Sequence, residues 1–227
     1  MRTRTSGKCT PTMTEHIHGA EGKMNFEALA KARRSVRRYG EAVVPEEVMR
    51  SALRSAHLAP SSNNLQPWEF HWVRPNSARR AEAVEACLSQ PAAATSSELV
   101  FFIGRPDLCV RRAAALQAHY ESEQNEGTAA YYRDQVGPNV AGMEAAKRSA
   151  WVDKSVALAA AQFMLAIKAA GFDSCPMEGL DPSKVRALFD LPQEASVVMA
   201  ISVGQGIPEG LYGPRYRFPL QDHLTEH

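Results

Sequence analysis

The chain lacks a membrane-length apolar run, a strong net charge and any paired-cysteine motif. Each absence excludes a class. The strongest apolar run, Val156–Ile167, is about twelve residues where a bilayer span needs about twenty. It contains Gln162 and is bracketed by Lys154 and Lys168, so it reads as a helix buried on nearly all sides. Lysine and arginine number 26 against 25 aspartate and glutamate, a net charge of +1. That excludes bulk electrostatic capture of nucleic acid or a membrane surface, so arginine clusters are local features. Cys9, Cys87, Cys109 and Cys175 are far apart and form no C-x-x-C pair. With no secretory apolar segment, they predict reduced thiols in a cytoplasmic protein.

Signature motifs are missing too. There is no G-x-S-x-G, no H-E-x-x-H and no P-loop. Gly204-x-Gly206-x-x-x-Gly210 misses the dinucleotide fingerprint by one residue, and Pro208 makes it a turn. His57, Ser61 and Ser62 suggest hydrolase chemistry but have neither an elbow nor a partner acid in pattern. His16 and His18 sit in a polar, aperiodic stretch, and no metal site is expected there.

What is present describes one domain. The 227 residues, 44% hydrophobic and 22% charged, suffice for a single core. Residues 1–23 have no apolar period and are expected to be a disordered extension, with Met24 opening the ordered pattern over 24–227. A short helix follows through Phe26, Leu29 and Ala30, and a second runs from Pro45 to Leu58. Glu69–Arg74 alternates as a strand, Ser77–Leu88 reads as a helix, and Leu99–Gly104 is a buried strand. Region 110–150 is polar and helical, broken at Gly127, Gly137-Pro138 and Gly142, which suits a mobile excursion. Trp151–Ala170 is the buried helix, stopped by Gly171. Strands at Phe172–Pro176 and Ala195–Gly204 flank a helix near Pro182–Phe189, and the tail from Pro208 has little core of its own. The class is α+β, with a C-terminal arm expected to pack on a second subunit.

Four clusters carry chemistry. Arg33, Arg34, Ser35, Arg37 and Arg38 either pair at four-residue spacing on a helix face or converge in a turn. Their forks and the Ser35 hydroxyl suit phosphate oxygens, and a solvated basic helix end is the plain alternative. Pro60–Pro67 packs Ser61, Ser62, Asn63, Asn64 and Gln66 between stiffening prolines, donors and acceptors that suit the uracil-like edge of an isoalloxazine or simple turn chemistry. Arg215 and Arg217 point the same way in an extended tail. Pro176, Met177, Glu178 and Gly179 end a strand where backbone N–H groups can approach a flat ligand.

With RRSVR, APSSNNLQPWEF, GFDSCPMEGLD and GPRYRFP in this order and spacing, the chain resembles the nitroreductase family of FMN-dependent oxidoreductases over roughly 24–220. The resemblance implies a nitroreductase-type fold: a central, mostly antiparallel sheet flanked by helices. It implies an intertwined homodimer with C-terminal strand exchange and FMN at each subunit interface. It places Arg33, Arg34, Ser35 and Arg37 in the first flavin-binding segment and Arg215 and Arg217 in the second. It lays Pro60, Ser61, Ser62 and Asn63 of the partner, with Gln66 nearby, against the ring, and puts Glu178 and Gly179 backbone N–H groups at N5 and O4. A flavin-contacting Asn of the family falls near Gln90, and a Lys falls near Ala93, where no cation stands. Tyr131 or Tyr132 is the lid aromatic. The implied activity is ping-pong: NADH or NADPH reduces the flavin, then a nitroaromatic, quinone or similar small-molecule acceptor reoxidises it. No side chain is catalytic in itself. Other reactions of the fold stay open, namely enone or dihydropteridine reduction, dehalogenation and flavin fragmentation, as does a non-catalytic flavin carrier.

Overall fold

The apolar run at 99–104 becomes the middle of a sheet because helices cover both of its faces. The computed structural model describes residues 25–227; the extension expected over 1–23, with Cys9, His16 and His18, lies outside the described residues. Among these, β1 (Trp68–Val73), β2 (Glu98–Gly104), β3 (Asp173–Met177) and β4 (Ser196–Gly204) form one antiparallel sheet ordered β1-β2-β4-β3. All of β2 is buried. Val100 and Phe102 face one core with α2 (Glu46–His57) and α8 (Ala145–Ala169), whereas Leu99, Phe101 and Ile103 face the other. That second face is covered by α3 (Arg80–Ala86), α4 (Pro91–Thr95) and α9 (Pro182–Phe189). Successive strand residues point to opposite faces, so a strand covered twice must be apolar throughout.

The helix α1 (Phe26–Ala32) is short, and Asn25 caps it by accepting from the Ala28 N–H. Region 110–150 forms α5 (Cys109–Ser122), α6 (Glu126–Tyr131), a π-turn at Tyr132–Val136 and α7 (Gly137–Ala141). The expected break at Gly127 is absent; that residue sits inside α6, and the chain turns instead at residues 123–125. The excursion also has a core side, since Cys109, Ala113, Ala129, Tyr132, Val136 and Val140 are buried.

The central helix differs from expectation in length and in burial. Glu144 accepts from the N–H groups of Ala146 and Lys147, which starts α8 six residues before Trp151 and gives it 25 residues. It is long and apolar enough to cross a membrane by composition alone, yet Val152, Val156, Ala159, Ala160, Phe163 and Ile167 are spent on the sheet and α2. Its other side is open: Ala157 and Ala161 are exposed, and Leu158 is 50% exposed. Near its end the buried Lys168 meets Asp173 of β3 at 2.8 Å, fixing where the strand begins.

Candidate functional site

The arginine-rich segment is extended, which removes the helix-face pairing of Arg33 with Arg37 and of Arg34 with Arg38. Helix α1 stops at Ala32, and Arg33 already has φ −64° and ψ 121°. The segment then runs beside the outer edge of β3, with a parallel bridge from Ser35 to Ser174 and the Val36 N–H donating to Ser174 O at 3.1 Å. Alternation in an extended chain buries Val36 and leaves Ser35 and Arg37 in the cleft wall. Tyr39 anchors the segment: buried, its hydroxyl lies 2.9 Å from Ser202 Oγ on β4. Burial pushes the Tyr39 phenol far up from its ordinary value, so it keeps its proton.

The tail returns to the same place because glycines let backbones touch. The Arg37 N–H donates to Gly210 O at 2.9 Å, and the Gly40 N–H donates to Gln205 O at 2.9 Å. A Cβ on Gly210 would stand 2.6 Å from Arg38 O and 2.8 Å from Arg38 N. One on Gly206 would stand 2.6 Å from Asp173 Oδ2. The near-miss dinucleotide pattern is thus a packing seam between two segments about 170 residues apart in sequence. Beyond it the segments brace each other: Arg34 Nη2 donates to Gly213 O at 2.7 Å, and Arg215 Nη2 donates to Arg33 O. Arg37 also lies over the Tyr212 ring, 4.9 Å from its centroid.

The product is a cleft of about 170 Å³ walled by Arg33, Arg34, Ser35, Arg37, Arg215 and Arg217. None of these arginines has a carboxylate partner among the described residues. Partial desolvation, followed by the repulsion of Arg217, Arg33 and Arg34, pulls the Arg215 pKa below its ordinary value. Like charges held this close by backbone braces favour an anion between them, and the guanidinium forks match phosphate oxygens. Below the cleft, burial pushes the Cys175 thiol up despite Arg37 and Arg33, which makes it an inert packing group.

Along the same edge, antiparallel alternation turns the backbone of Ser174 and Pro176 away from β4. Pro176 therefore costs the ladder no hydrogen bond. The Met177 side chain is buried in the core, so this residue can offer a ligand only its backbone. Gln90 Nε2 donates to Gly179 O and, at 3.1 Å, to Cys87 O, which ties the start of α4 to the Glu178–Gly179 corner. Ala93 is fully buried against the α3–α9 side, so a cation at that position would point into the core. Its carbonyl accepts instead from Arg80 Nη2 at 3.0 Å.

The Pro60–Pro67 loop is set by three non-glycine residues with positive φ: Asn63 at 51°, Asn64 at 50° and Gln66 at 47°. The Ser61 hydroxyl accepts from the Gln66 N–H at 2.9 Å, and the Gln66 amide turns inward to Asn64. Tyr131 and Tyr132 both reach Asn63, by hydroxyl bonds of 3.1 Å to Oδ1 and 2.8 Å to the carbonyl.

Comparison with known proteins places the chain. The model of the nitroreductase family matches residues 30–205. The chain belongs to the nitroreductase family. It is 30% identical over 212 residues to YdgI of Bacillus subtilis, which carries the name NAD(P)H nitroreductase, covering 89% of this chain and 97% of that one. A Thermus thermophilus protein named NADH dehydrogenase is 29% identical over 198 residues, covering 87% and 94%. A solved structure from Exiguobacterium sibiricum, described as a nitroreductase in complex with FMN, shares the fold with a TM-score of 0.75 at 24% identity, covering 90% and 98%.

In this nitroreductase-family chain the structure joins some expected site residues and separates others. Arg33, Arg34, Ser35, Arg37, Arg215 and Arg217 meet in one cleft, and Gln90 meets Gly179. Loop residues Asn64 and Gln66 instead border a separate cavity of about 460 Å³ with His57, Trp68, Phe70 and Arg112. Of the two lid tyrosines, Tyr132 is buried and stacked on Tyr120 at 5.6 Å, whereas Tyr131 is half-exposed. Sequence reasoning missed Tyr39, Tyr212, Gly206 and Gly210. The glycine spacing was the available signal for the last two, and it marks close backbone approach.

Proposed function

We propose that this chain, an NAD(P)H-dependent oxidoreductase of its family, binds FMN through the arginine cleft and reduces nitroaromatic, quinone or similar acceptors. The single observation that carries the reading is the cleft itself, five guanidinium groups from two distant segments without a carboxylate partner among the described residues. That donor set fits a phosphate monoester. Bound there, a flavin supplies a site that takes a hydride from NADH or NADPH and returns two electrons to an acceptor. Arg33, Arg37 and Arg217 would hold the phosphate, while Arg34 and Arg215 also brace the backbone. The backbone N–H groups of Glu178 and Gly179, in a corner steadied by Gln90, would meet the flavin ring and favour the reduced form by donating to it. One slot serving donor and acceptor in turn gives ping-pong kinetics.

Within one chain the loop borders a different cavity from the arginine cleft, which supports a homodimer in which Pro60, Ser61, Ser62 and Asn63 of one copy face the cleft of the other. Two surfaces favour it. The Ala157, Leu158 and Ala161 face of α8 is exposed, and the tail exposes Tyr216, Phe218 and Leu220 beyond any core of its own. The free edge of β1, beside Trp68 and Phe70, is where an exchanged C-terminal arm would add. Buried free thiols at Cys87, Cys109 and Cys175 suit a reducing cytoplasm.

Purified protein loaded with FMN tests the reading. Its flavin absorbance should bleach with NADH or NADPH without oxygen and return when an acceptor is added. Failure to bind FMN would remove the proposal; a bound flavin that neither nicotinamide bleaches would indicate a carrier.

A further inference from the structure

Asn63 is held by two consecutive tyrosines at the junction of α6 and the π-turn. Neighbouring residues of an α-helix project about 100° apart. Here Tyr131 closes α6 and Tyr132 opens the π-turn, and both hydroxyls converge on one residue. Single π-turns inside helices recur at functional positions. The two rings differ in setting. Tyr132 is 6% exposed and stacked on Tyr120, a fixed post, and its hydroxyl donates to Asn63 O at 2.8 Å. Tyr131 is 49% exposed and edge-on to Tyr132, with centroids 5.8 Å apart.

Asn63 itself is in the left-handed region, at φ 51° and ψ 30°. Asparagine tolerates that conformation better than most residues, and it persists only where its surroundings hold it. The bond from Tyr131 to Oδ1 occupies the acceptor end of the amide. The Nδ2 end has no acceptor among the described residues. One end of the side chain is therefore fixed and the donor end is left to a ligand.

We propose that Tyr131 and Tyr132 are positioning residues that present the Asn63 amide hydrogens to an oxygen of the electron acceptor, a quinone carbonyl or a nitro group. Acceptor selectivity then depends on the α6 and π-turn excursion acting through Asn63. This rests on the reading that the Ser61–Gln66 loop lies against the flavin ring.

The test uses FMN-loaded wild-type protein and the variants Tyr131→Phe, Tyr132→Phe, Asn63→Ala and Tyr131→Phe/Asn63→Ala. Each is reduced by NAD(P)H without oxygen, then reoxidised either by 1,4-benzoquinone or by ferricyanide, which needs no hydrogen-bonded seat. Quinone reoxidation should slow about 10-fold in Tyr131→Phe and in Asn63→Ala, the effect of losing one useful hydrogen bond. In Tyr131→Phe, which leaves the flavin-facing loop itself intact, ferricyanide reoxidation and the flavin spectrum should not change. The double variant should be no slower than Asn63→Ala, because Tyr131 acts through that residue. Tyr131→Phe removes only an exposed hydroxyl, so it keeps the test valid if Tyr132→Phe folds poorly. Quinone rates within twofold of wild type in Tyr131→Phe, or equal losses with both oxidants, would overturn the proposal. Wild-type protein that takes up no FMN sinks both this inference and the functional reading; active wild type with unaffected variants sinks only this one.

Discussion

Adding one methyl group at Gly210 should loosen the cofactor cleft without touching an arginine. The new Cβ would lie 2.6 Å from Arg38 O, 2.8 Å from Arg38 N and 2.8 Å from Val36 Cγ1. These are about 1 Å short of an unstrained contact. Two of the three obstacles are backbone, so the tail must move as a unit. Overpacking of this kind costs about 1–3 kcal/mol, which for a chain this size lowers Tm by about 2–12 °C. The same shift breaks the Arg37 N–H bond to Gly210 O and carries Arg215 and Arg217 away from Arg33 and Arg37. Losing the alignment of one charge-assisted contact, about 1.5–3 kcal/mol, weakens FMN binding about 10- to 100-fold. Gly210→Ala is therefore expected to show both effects, Tm by scanning fluorimetry and Kd by quenching of FMN fluorescence. Gly127→Ala is the control, because nothing lies within 4 Å of its Cβ and alanine suits a helix interior. If Gly210→Ala keeps its Tm and binds FMN within twofold of wild type, the seam does not align the cleft.

Three further outcomes follow from the same geometry. Arg37→Ala removes a guanidinium with no carboxylate partner among the described residues and its stacking on Tyr212. FMN affinity should fall about 10- to 100-fold, with a weaker salt dependence, by titration at two ionic strengths. Leu158→Glu puts a charge on the exposed face of α8; sedimentation should show a shift toward monomer, and an unchanged mass would place the interface elsewhere. Glu98 is buried in β2, accepting from Trp72 Nε1 at 2.8 Å and Ser97 Oγ at 3.0 Å, and burial raises its carboxyl above the ordinary 4.5. The folded chain thus holds that proton better than the unfolded chain. Its contribution is full below the ordinary value and is lost as pH rises through the raised one. The Tm of Glu98→Gln minus that of wild type should accordingly increase as pH rises from below the ordinary 4.5 through the raised carboxyl value, and a flat difference would refute the assignment.

Much of the fold was legible in sequence because the decisive signals are local. Pro45 and two acids open α2, Gly171 stops α8, and LVFFIG is a strand covered on both faces. Less legible was anything set by what lies opposite. Gln162 and the flanking lysines made 156–167 look short, but Glu144 extends the helix to 25 residues and Lys168 is neutralised by Asp173. Apolar residues around the whole helix read as burial on all sides, yet among the described residues no element covers Leu158. In the excursion, polar composition hid the apolar positions, from Cys109 to Val140, that face the core.

For the site, the sequence by itself determined chemistry: arginines in two motifs, an amide-rich loop and a Pro–Gly strand end, together specific enough to name a family. Residue type and short spacing carry that information, because a guanidinium fork or an amide has the same bonding capacity wherever it stands. Only the tertiary structure decided which of these groups meet. Glycines at 206 and 210 let the tail touch Val36 and Arg38, so the two arginine motifs share one cleft. The loop, in contrast, is tied to Tyr131 and Tyr132 and borders a different cavity. Close approach depends on the shape of both surfaces at once, and one stretch of sequence records only its own.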